Sequence, residues 1–336
     1  MSGIPDFTGL RVAVVGDLIA DHYMVCEPRG LSREAPVMVL GHSHEYLSAG
    51  GAANVARNLA ALGAETRCLG AVGRDARGRE LLELLRVEGI DVEGVLTVPG
   101  WVTTTKTRIV AAEPRRNLSQ VLRVDHTPKG PLGPDARREV EALLAGLAGA
   151  VDAVVLSDYE IGLFDHGLAR RGAALARELP VVLDPRSNLE GFEGVTALTP
   201  NVGELAGFTG RTTEQLADAD ALAEAAGQLR ERFDAGALLV TRGNHGMALF
   251  GSGAPVGGAW VGASGAGNVT DVTGAGDTAA AVFTLALAAG EDALSAMALA
   301  NAASGVVVME HGAAVCSPAA LQDALPAAPL PVLGSS

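Results

Sequence analysis

Short β-branched runs alternate with helical stretches along most of this chain, and that alternation limits the folds open to it. Runs at 11–15, 153–156, 181–183, 195–198 and 238–241 are separated by helical patterns at 52–62, 78–87, 134–147, 165–178 and 213–233. This order predicts an α/β fold, a doubly wound, mostly parallel sheet with helices on both faces. Ligands of such sheets bind beyond the carboxyl ends of the strands. Asp17, Asp158, Asp184, Asn201 and Arg242 each follow a run and fall at that edge. Two segments, 37–47 and 102–124, break the alternation. They are extended, rich in Val and Thr, and have no helix between their strands, which predicts a small antiparallel sheet projecting as a lid from about 31–48 and 101–125.

Length and charge narrow the class. A chain of 336 residues, 48% hydrophobic, can bury one large core, so a single domain over 1–325 is expected, with a loose Pro-, Gly- and Ser-rich tail at 326–336. A net charge of −14 repels nucleic acid and anionic membrane surfaces, so neither is an expected partner, and an anionic substrate must be met by local Arg or Lys. Lys106 and Lys129 are the two lysines, and Lys106 lies inside an extended run. Cys26, Cys68 and Cys316 are widely spaced and odd in number, which argues against a disulfide framework and fits a reducing cytoplasm. No secretory leader pattern is seen at the N-terminus, and the apolar stretch at 278–290 is too short to span a bilayer. The seven histidines, His311 among them, show no metal spacing.

The run Asp271-Val272-Thr273-Gly274-Ala275-Gly276-Asp277-Thr278 carries the clearest chemistry. Small residues at Gly274, Ala275 and Gly276 let a ligand approach the backbone, and the apolar run after them reads as a buried helix. An anion at that helix start would meet unpaired amides and the favourable end of the macrodipole. Asp277, in the first turn, could accept the proton of an attacking hydroxyl while the three amides offset moving phosphoryl charge. A glycine-rich turn capped by an aspartate explains the same residues. Gly50-Gly51-Ala52-Ala53-Asn54 opens another helix and can present amides and the Asn54 side chain to a polar ligand, or can simply allow close helix packing. The later glycines of a dinucleotide fingerprint are missing after Gly16, and the P-loop motif is absent from the sequence.

These two segments, in this order, resemble the two signatures of the ribokinase or PfkB family of carbohydrate kinases, and the likeness runs over roughly residues 8–325. Within that family the chain is most similar to bacterial D-glycero-β-D-manno-heptose 7-phosphate kinases. The segments at 31–37, 104–108 and 122–125 look like their lid, and Ser157-Asp158-Tyr159, Leu198-Thr199-Pro200-Asn201, the 301–305 segment and the 315–318 segment agree as well. There are three departures. Ile161 stands where the family commonly has Lys, Arg186 stands where Lys is usual, and the second, nucleotidyl-transferring domain of many relatives has no counterpart in these 336 residues.

The resemblance implies an ATP-dependent kinase acting on the anomeric hydroxyl of a heptose 7-phosphate, with Mg2+ as cofactor, a possible monovalent cation beside Asp271 and a homodimer paired through the lid. Asp277 would be the general base, and Gly274, Ala275 and Gly276 the anion hole. Asp17, Gly50, Gly51 and Asn54 would hold sugar hydroxyls, with a cap on the next segment as the other reading of Asp17. Asn201 and Glu204 match an N-x-x-E pattern near the nucleotide phosphates and metal, or simply start a solvated helix. Thr241, Arg242, Gly243, Gly246 and Asn301 would line the ATP side. Lys106, Arg108 and Arg123 are candidates for the substrate phosphate, with ordinary strand-surface charge as the other reading. Asp158 would order the substrate site and Asp184 would assist the metal. The rival functions are a kinase for ribose, fructose or a fructose phosphate, and a sugar-phosphate-binding protein without turnover on the same scaffold.

Overall fold

The computed structural model describes residues 3–111, 119–265, 270–310 and 312–334. Residues 112–118 of the expected lid, His311 and the last two residues of the expected tail lie outside them.

In chain order the strands are β1 (Arg11–Gly16), β2 (Leu18–Leu31), β3 (Met38–Gly51), β4 (Glu65–Gly73), β5 (Asp91–Val98), β6 (Thr105–Ala111), β7 (Ser119–His126), β8 (Ala153–Ser157), β9 (Val181–Asp184), β10 (Ala197–Leu198), β11 (Ala237–Thr241), β12 (Met247–Gly251), β13 (Ala259–Val261) and β14 (Val332–Leu333). The α-helices are α1 (Ala52–Ala61), α2 (Ala76–Val87), α3 (Pro134–Ala145), α4 (His166–Ala174), α5 (Val202–Thr209), α6 (Ala219–Arg232), α7 (Ala275–Ala288), α8 (Ala293–Val307) and α9 (Pro318–Ala324).

The main sheet has the order β14-β13-β12-β11-β10-β9-β8-β1-β4-β5. It is parallel from β11 through β5 and antiparallel at β12, β13 and β14. Successive strand side chains point to opposite faces, and each face is covered. Val12 and Val14 pack on one side with α1, α2, α7, α8 and α9, while Ala13 and Val15 pack on the other with α3, α4, α5 and α6. Helix α7 is apolar all round because it is covered all round, with every residue from 277 to 286 buried.

The chain runs outward from β1 in one direction to β4 and β5, then returns to place β8 on the other side of β1. Asp17 and Asp158 follow these two strands, at the switch point where such sheets open a crevice.

The small sheet has the order β3-β2-β6-β7. It consists of two antiparallel pairs, β2 with β3 and β6 with β7, joined by a parallel seam between β2 and β6. The predicted lid segments are strands, but β2 belongs to the lid as well, and its length was not legible because Leu18–Cys26 reads as an ordinary core run. That half of β2 is largely buried, whereas its far end and all of β7 are exposed.

Other departures have local causes. The helix predicted at 213–233 begins at Ala219, where the Asp218 side chain accepts from the Ala221 amide and caps it. The helix start read at Asn201 and Glu204 is the start of α5. Asn201 and Glu204 start it with reciprocal side-chain bonds to each other's backbone amides, and Gly210 ends it at φ 65°. Part of the expected loose tail is sheet edge, since Val332 pairs with Trp260 and Leu333 with Ala259. Among the described residues no helix is long and apolar enough to cross a membrane.

Candidate active site

Two helix starts converge beyond the carboxyl edge of the sheet. Gly51, at φ 57°, precedes α1, and Gly274, at φ 81°, precedes α7. Both need a left-handed backbone that glycine adopts without strain. A Cβ on Gly274 would stand 2.5 Å from Nδ2 of Asn54, so the two starts touch. A Cβ on Gly276 would meet nothing within 4 Å, which leaves open space over the first turn of α7.

Asp277 lies in that turn and is buried. Its Oδ2 accepts from Nδ2 of Asn54 at 2.8 Å, and its Oδ1 accepts from the Tyr159 hydroxyl at 2.7 Å. Burial pushes its carboxyl up to about 6, and the two donated bonds oppose that rise. Such a group is mostly ionised at neutral pH and sits close enough to its midpoint to take a proton readily.

Asn54, expected to hold a sugar hydroxyl, gives its amide to Asp277, and its Oδ1 is buried without a partner among the described residues. One turn on, the buried Asn58 accepts from the Thr278 hydroxyl at 3.0 Å and the Cys316 amide at 3.3 Å, and donates to the Asn54 carbonyl at 3.0 Å. The sequence reading missed Asn58. An asparagine four residues after Asn54, on the same face of an otherwise alanine-rich helix, was the signal for it.

Asp17 is buried as well. Its Oδ2 accepts from the amides of Tyr159 and Ile161 at 2.9 and 3.1 Å, so it holds the turn after β8 rather than capping the segment that follows it. Burial raises its carboxyl to about 6. Asp158 accepts from the Glu160 amide at 2.8 Å, and burial followed by the nearby charge of Asp17 raises it to about 7.

The lid supplies Asp21, another residue without an assignment from sequence. It is buried on β2, paired in register with Lys106, and forms an ion pair with Arg108. A Cβ on Gly50 would stand 2.5 Å from Oδ2 of Asp21, so glycine there makes room for the carboxylate. A charge inside the apolar run Leu18-Ile19-Ala20-Asp21 was its sequence signal. Of the three cations expected at a phosphate, Arg108 pairs with Asp21 and Arg123 makes a two-pronged pair with Asp125 at 2.9 Å. Lys106 places Nζ 5.2 Å from the centre of the Tyr159 ring, and burial lowers its pKa.

A cavity of about 390 Å³ opens beside Arg186, Ser187, Asn201, Gly203, Glu204, Gly207 and Phe208. Asn201 is the N-cap, and each side chain bonds the other's backbone amide. Arg186 reaches the remaining Glu204 oxygen at 3.5 Å. Asp184, at the end of β9, accepts from the Thr199 hydroxyl at 3.1 Å. Burial, then the charges of Asp277 and Glu204, push its carboxyl well above the ordinary range.

Farther along the strand ends, Thr241 bridges Asn201, and Gly243 and Gly246 take φ values of 55° and 81°. Arg242 stacks 4.8 Å from the Trp260 ring centre, and Asn301 donates to the Gly262 carbonyl at 2.9 Å, so both support the backbone on this side. Asp271 ties two loops together through the amides of Thr273 and Gly312, at 2.9 and 3.0 Å.

The match to known proteins follows this geometry. Residues 10–320 match the model of the pfkB family carbohydrate kinases. The chain belongs to that family. It is therefore a carbohydrate kinase. It is 36% identical over 319 residues to the bifunctional protein HldE of Geobacter sulfurreducens, covering 94% of this chain and 63% of that protein. It is 39% identical over 334 residues to the HldE of Halorhodospira halophila, covering 99% and 67%. The pfkB chain thus spans less than two thirds of the Geobacter protein. Its fold is similar to that of Arabidopsis thaliana ribokinase complexed with ribose and ATP, with TM-score 0.69, 23% identity and 95% and 99% of the two chains covered. It is also similar to phosphofructokinase-2 from Escherichia coli in complex with substrates and products, with TM-score 0.76, 19% identity and 96% and 99% covered.

Proposed function

We propose that this pfkB kinase transfers the γ-phosphoryl group of ATP to the anomeric hydroxyl of D-glycero-β-D-manno-heptose 7-phosphate, giving the 1,7-bisphosphate. The observation that carries the proposal is Asp277, a buried carboxylate held by two donors in the first turn of a helix whose glycine-rich start leaves room for an anion. The likeness of the lid segments to heptose 7-phosphate kinases supports the choice of sugar.

In this reading Asp277 takes the proton of the anomeric hydroxyl as that oxygen bonds the γ-phosphorus and the bond to the β-phosphate oxygen breaks, releasing ADP. The amides of Gly274 and Gly276 offset the charge on the moving phosphoryl group, while that of Ala275, expected beside them, already donates to the Val272 carbonyl at 3.3 Å. Lys106 and Arg108, on the lid, meet the anionic end of the sugar, with Arg108 held in place by Asp21. The cavity beside Asn201 and Glu204 takes the nucleotide phosphates. Glu204 and Asp184 would hold a hydrated magnesium ion there: both are hard oxygen donors whose carboxyls burial raises, Asp184 further through the charges of Asp277 and Glu204, and a cation would relieve that cost. That ion would neutralise phosphate charge. A homodimer through the lid and a cytoplasmic location complete the reading. Exposed Leu122, Val124 and Met38 on the lid strands favour the dimer.

One set of contacts favours another sugar. Arg108 and Arg123 already have carboxylate partners and position 161 is Ile, so cationic capacity for a substrate phosphate is low. An unphosphorylated hexose or pentose, such as fructose or ribose, is the second reading. ATP consumption with magnesium decides between them across heptose 7-phosphate, free heptose, fructose 6-phosphate, ribose and adenosine. Strongest turnover on heptose 7-phosphate is the expected result; strongest turnover on any other member overturns the heptose assignment. Asp277→Asn tests the kinase chemistry itself, and binding of sugar phosphate with no turnover in the unaltered protein would leave only a binding function.

A further inference from the structure

We propose that Tyr159 is a positioning residue for Asp277, holding the base carboxylate from the side opposite Asn54 so that one oxygen lone pair is aimed at the incoming hydroxyl. The inference rests on Asp277 being the base.

The geometry around Tyr159 is determined several times over. Its hydroxyl donates to Oδ1 of Asp277 at 2.7 Å while Asn54 donates to Oδ2, so the carboxylate cannot rotate without losing both bonds. Its own backbone amide, with that of Ile161, is held by the buried Asp17. Between them Glu160 adopts φ 57°, a left-handed conformation that costs a non-glycine side chain on the order of 1–3 kcal/mol. Asp158 accepts from the Glu160 amide, and the Ser187 hydroxyl donates to the Glu160 carboxylate. Two buried acids and a strained residue thus fix one short turn whose product is the position of a single phenol. The Lys106 ammonium stands 5.2 Å from the centre of its ring, a cation–π contact on the face of the phenol.

A donor of this kind has a direct consequence for the base. Asp277 is faced by Asp21 from β2, Lys106 from β6, Asn54 from α1, Asp184 from β9 and Tyr159 from the turn after β8. Burial, Asp21 and Asp184 favour its protonated form; Asn54, Tyr159 and Lys106 favour the ionised one. Removing the phenol oxygen alone leaves the carboxylate freer to rotate and easier to protonate.

The test is Tyr159→Phe, with heptose 7-phosphate and ATP as substrates and Asp277→Asn beside it. Turnover should fall on the order of 10–100-fold while KM for both substrates changes by less than about threefold. The acidic limb of the rate profile should move to higher pH. A second readout needs no substrate: the 13C resonance of the Asp277 carboxyl should titrate at higher pH in Tyr159→Phe than in the unaltered chain. Unchanged turnover with an unmoved limb and an unmoved resonance overturns the inference, as does a loss carried by the sugar KM, which would make Tyr159 a substrate contact. If Asp277→Asn keeps turnover, the base assignment itself fails; if it is inert while Tyr159→Phe is normal, the positioning role alone fails.

Discussion

Nδ2 of Asn54 lies 2.8 Å from Oδ2 of Asp277, and through this bond the start of α1 fixes the carboxylate at the start of α7. Asn58 repeats the arrangement one turn later with Thr278, so two buried polar pairs zip the helices together. Asn54→Ala should lower stability by about 1–3 kcal/mol and reduce turnover on the order of 100-fold, because it strips a donor from a buried carboxylate. Asn58→Ala should cost a similar stability with a far smaller loss of turnover, since its partners are Thr278, Cys316 and the Asn54 backbone. Denaturant midpoints alongside kcat for both variants check the split; equal loss of turnover would contradict it.

The two glycines of the α7 start should respond oppositely to alanine. Gly274→Ala places a side chain at φ 81° and against Asn54, so stability should fall by more than about 1 kcal/mol and turnover with it. Gly276→Ala enters open space on a helix, where alanine is favoured by about 1 kcal/mol over glycine. It should keep or raise the melting temperature while raising KM for ATP, because its methyl group occupies the ligand's side of the turn. A Gly276→Ala enzyme with unaltered ATP kinetics would move the anion site elsewhere.

Arg108 and Arg123 face each other across β6 and β7 but are held differently. The Arg108 and Asp21 side chains are 11% and 5% exposed, whereas those of Arg123 and Asp125 are 49% and 35% exposed. Arg108→Ala leaves a buried carboxylate unpaired and should cost about 3–5 kcal/mol. Arg123→Ala should cost less than about 1 kcal/mol. Chemical denaturation of each single variant, and of Arg108→Met with Asp21→Asn, tests this; recovery of stability in the double variant is expected.

Stability and activity should move in opposite directions between pH 5 and pH 8. Burial raises Asp17 and Asp277 to about 6 and Asp158 to about 7, and raises Asp21, Asp184 and Glu204 as well. Each raised group contributes stability that is full below its unfolded pKa and is lost as pH rises through its folded one. The lowered carboxyls of Asp6, Asp75 and Asp152 act the other way, but below about pH 4. The melting temperature should therefore be higher at pH 5 than at pH 8. Turnover should rise with pH through about 6 as Asp277 ionises. Calorimetry and initial rates across this range are the check, and a melting temperature that climbs toward pH 8 would contradict the first half.

Legibility in the sequence tracked how local each signal was. Helix α7 and its glycine start could be read because buried apolar residues and small residues lie next to one another in the chain. The start of helix α5 could be read from Asn201 and Glu204, which spell its capping box, but its extent could not, because eight residues give little periodicity. Strand β2 escaped because an apolar run looks the same whether it enters the main sheet or bends out into the lid. The carboxylates after the strands could be placed at the crevice, but not aimed within it.

The sequence by itself determined the α/β alternation, the edge at which the site lies, the two glycine-rich helix starts and the identity of Asp277 as the acid at one of them. Each follows from spacing along a single stretch of chain. Only the tertiary structure decided what each polar side chain holds: Asn54 and Tyr159 on Asp277, Asp17 on the Tyr159 turn, and Asp21 on Arg108. Those partners are separated by 223, 118, 142 and 87 positions. A hydrogen bond is set by ångström-scale distances between groups whose separation in sequence carries no information about them, so it comes into being only when the layers pack.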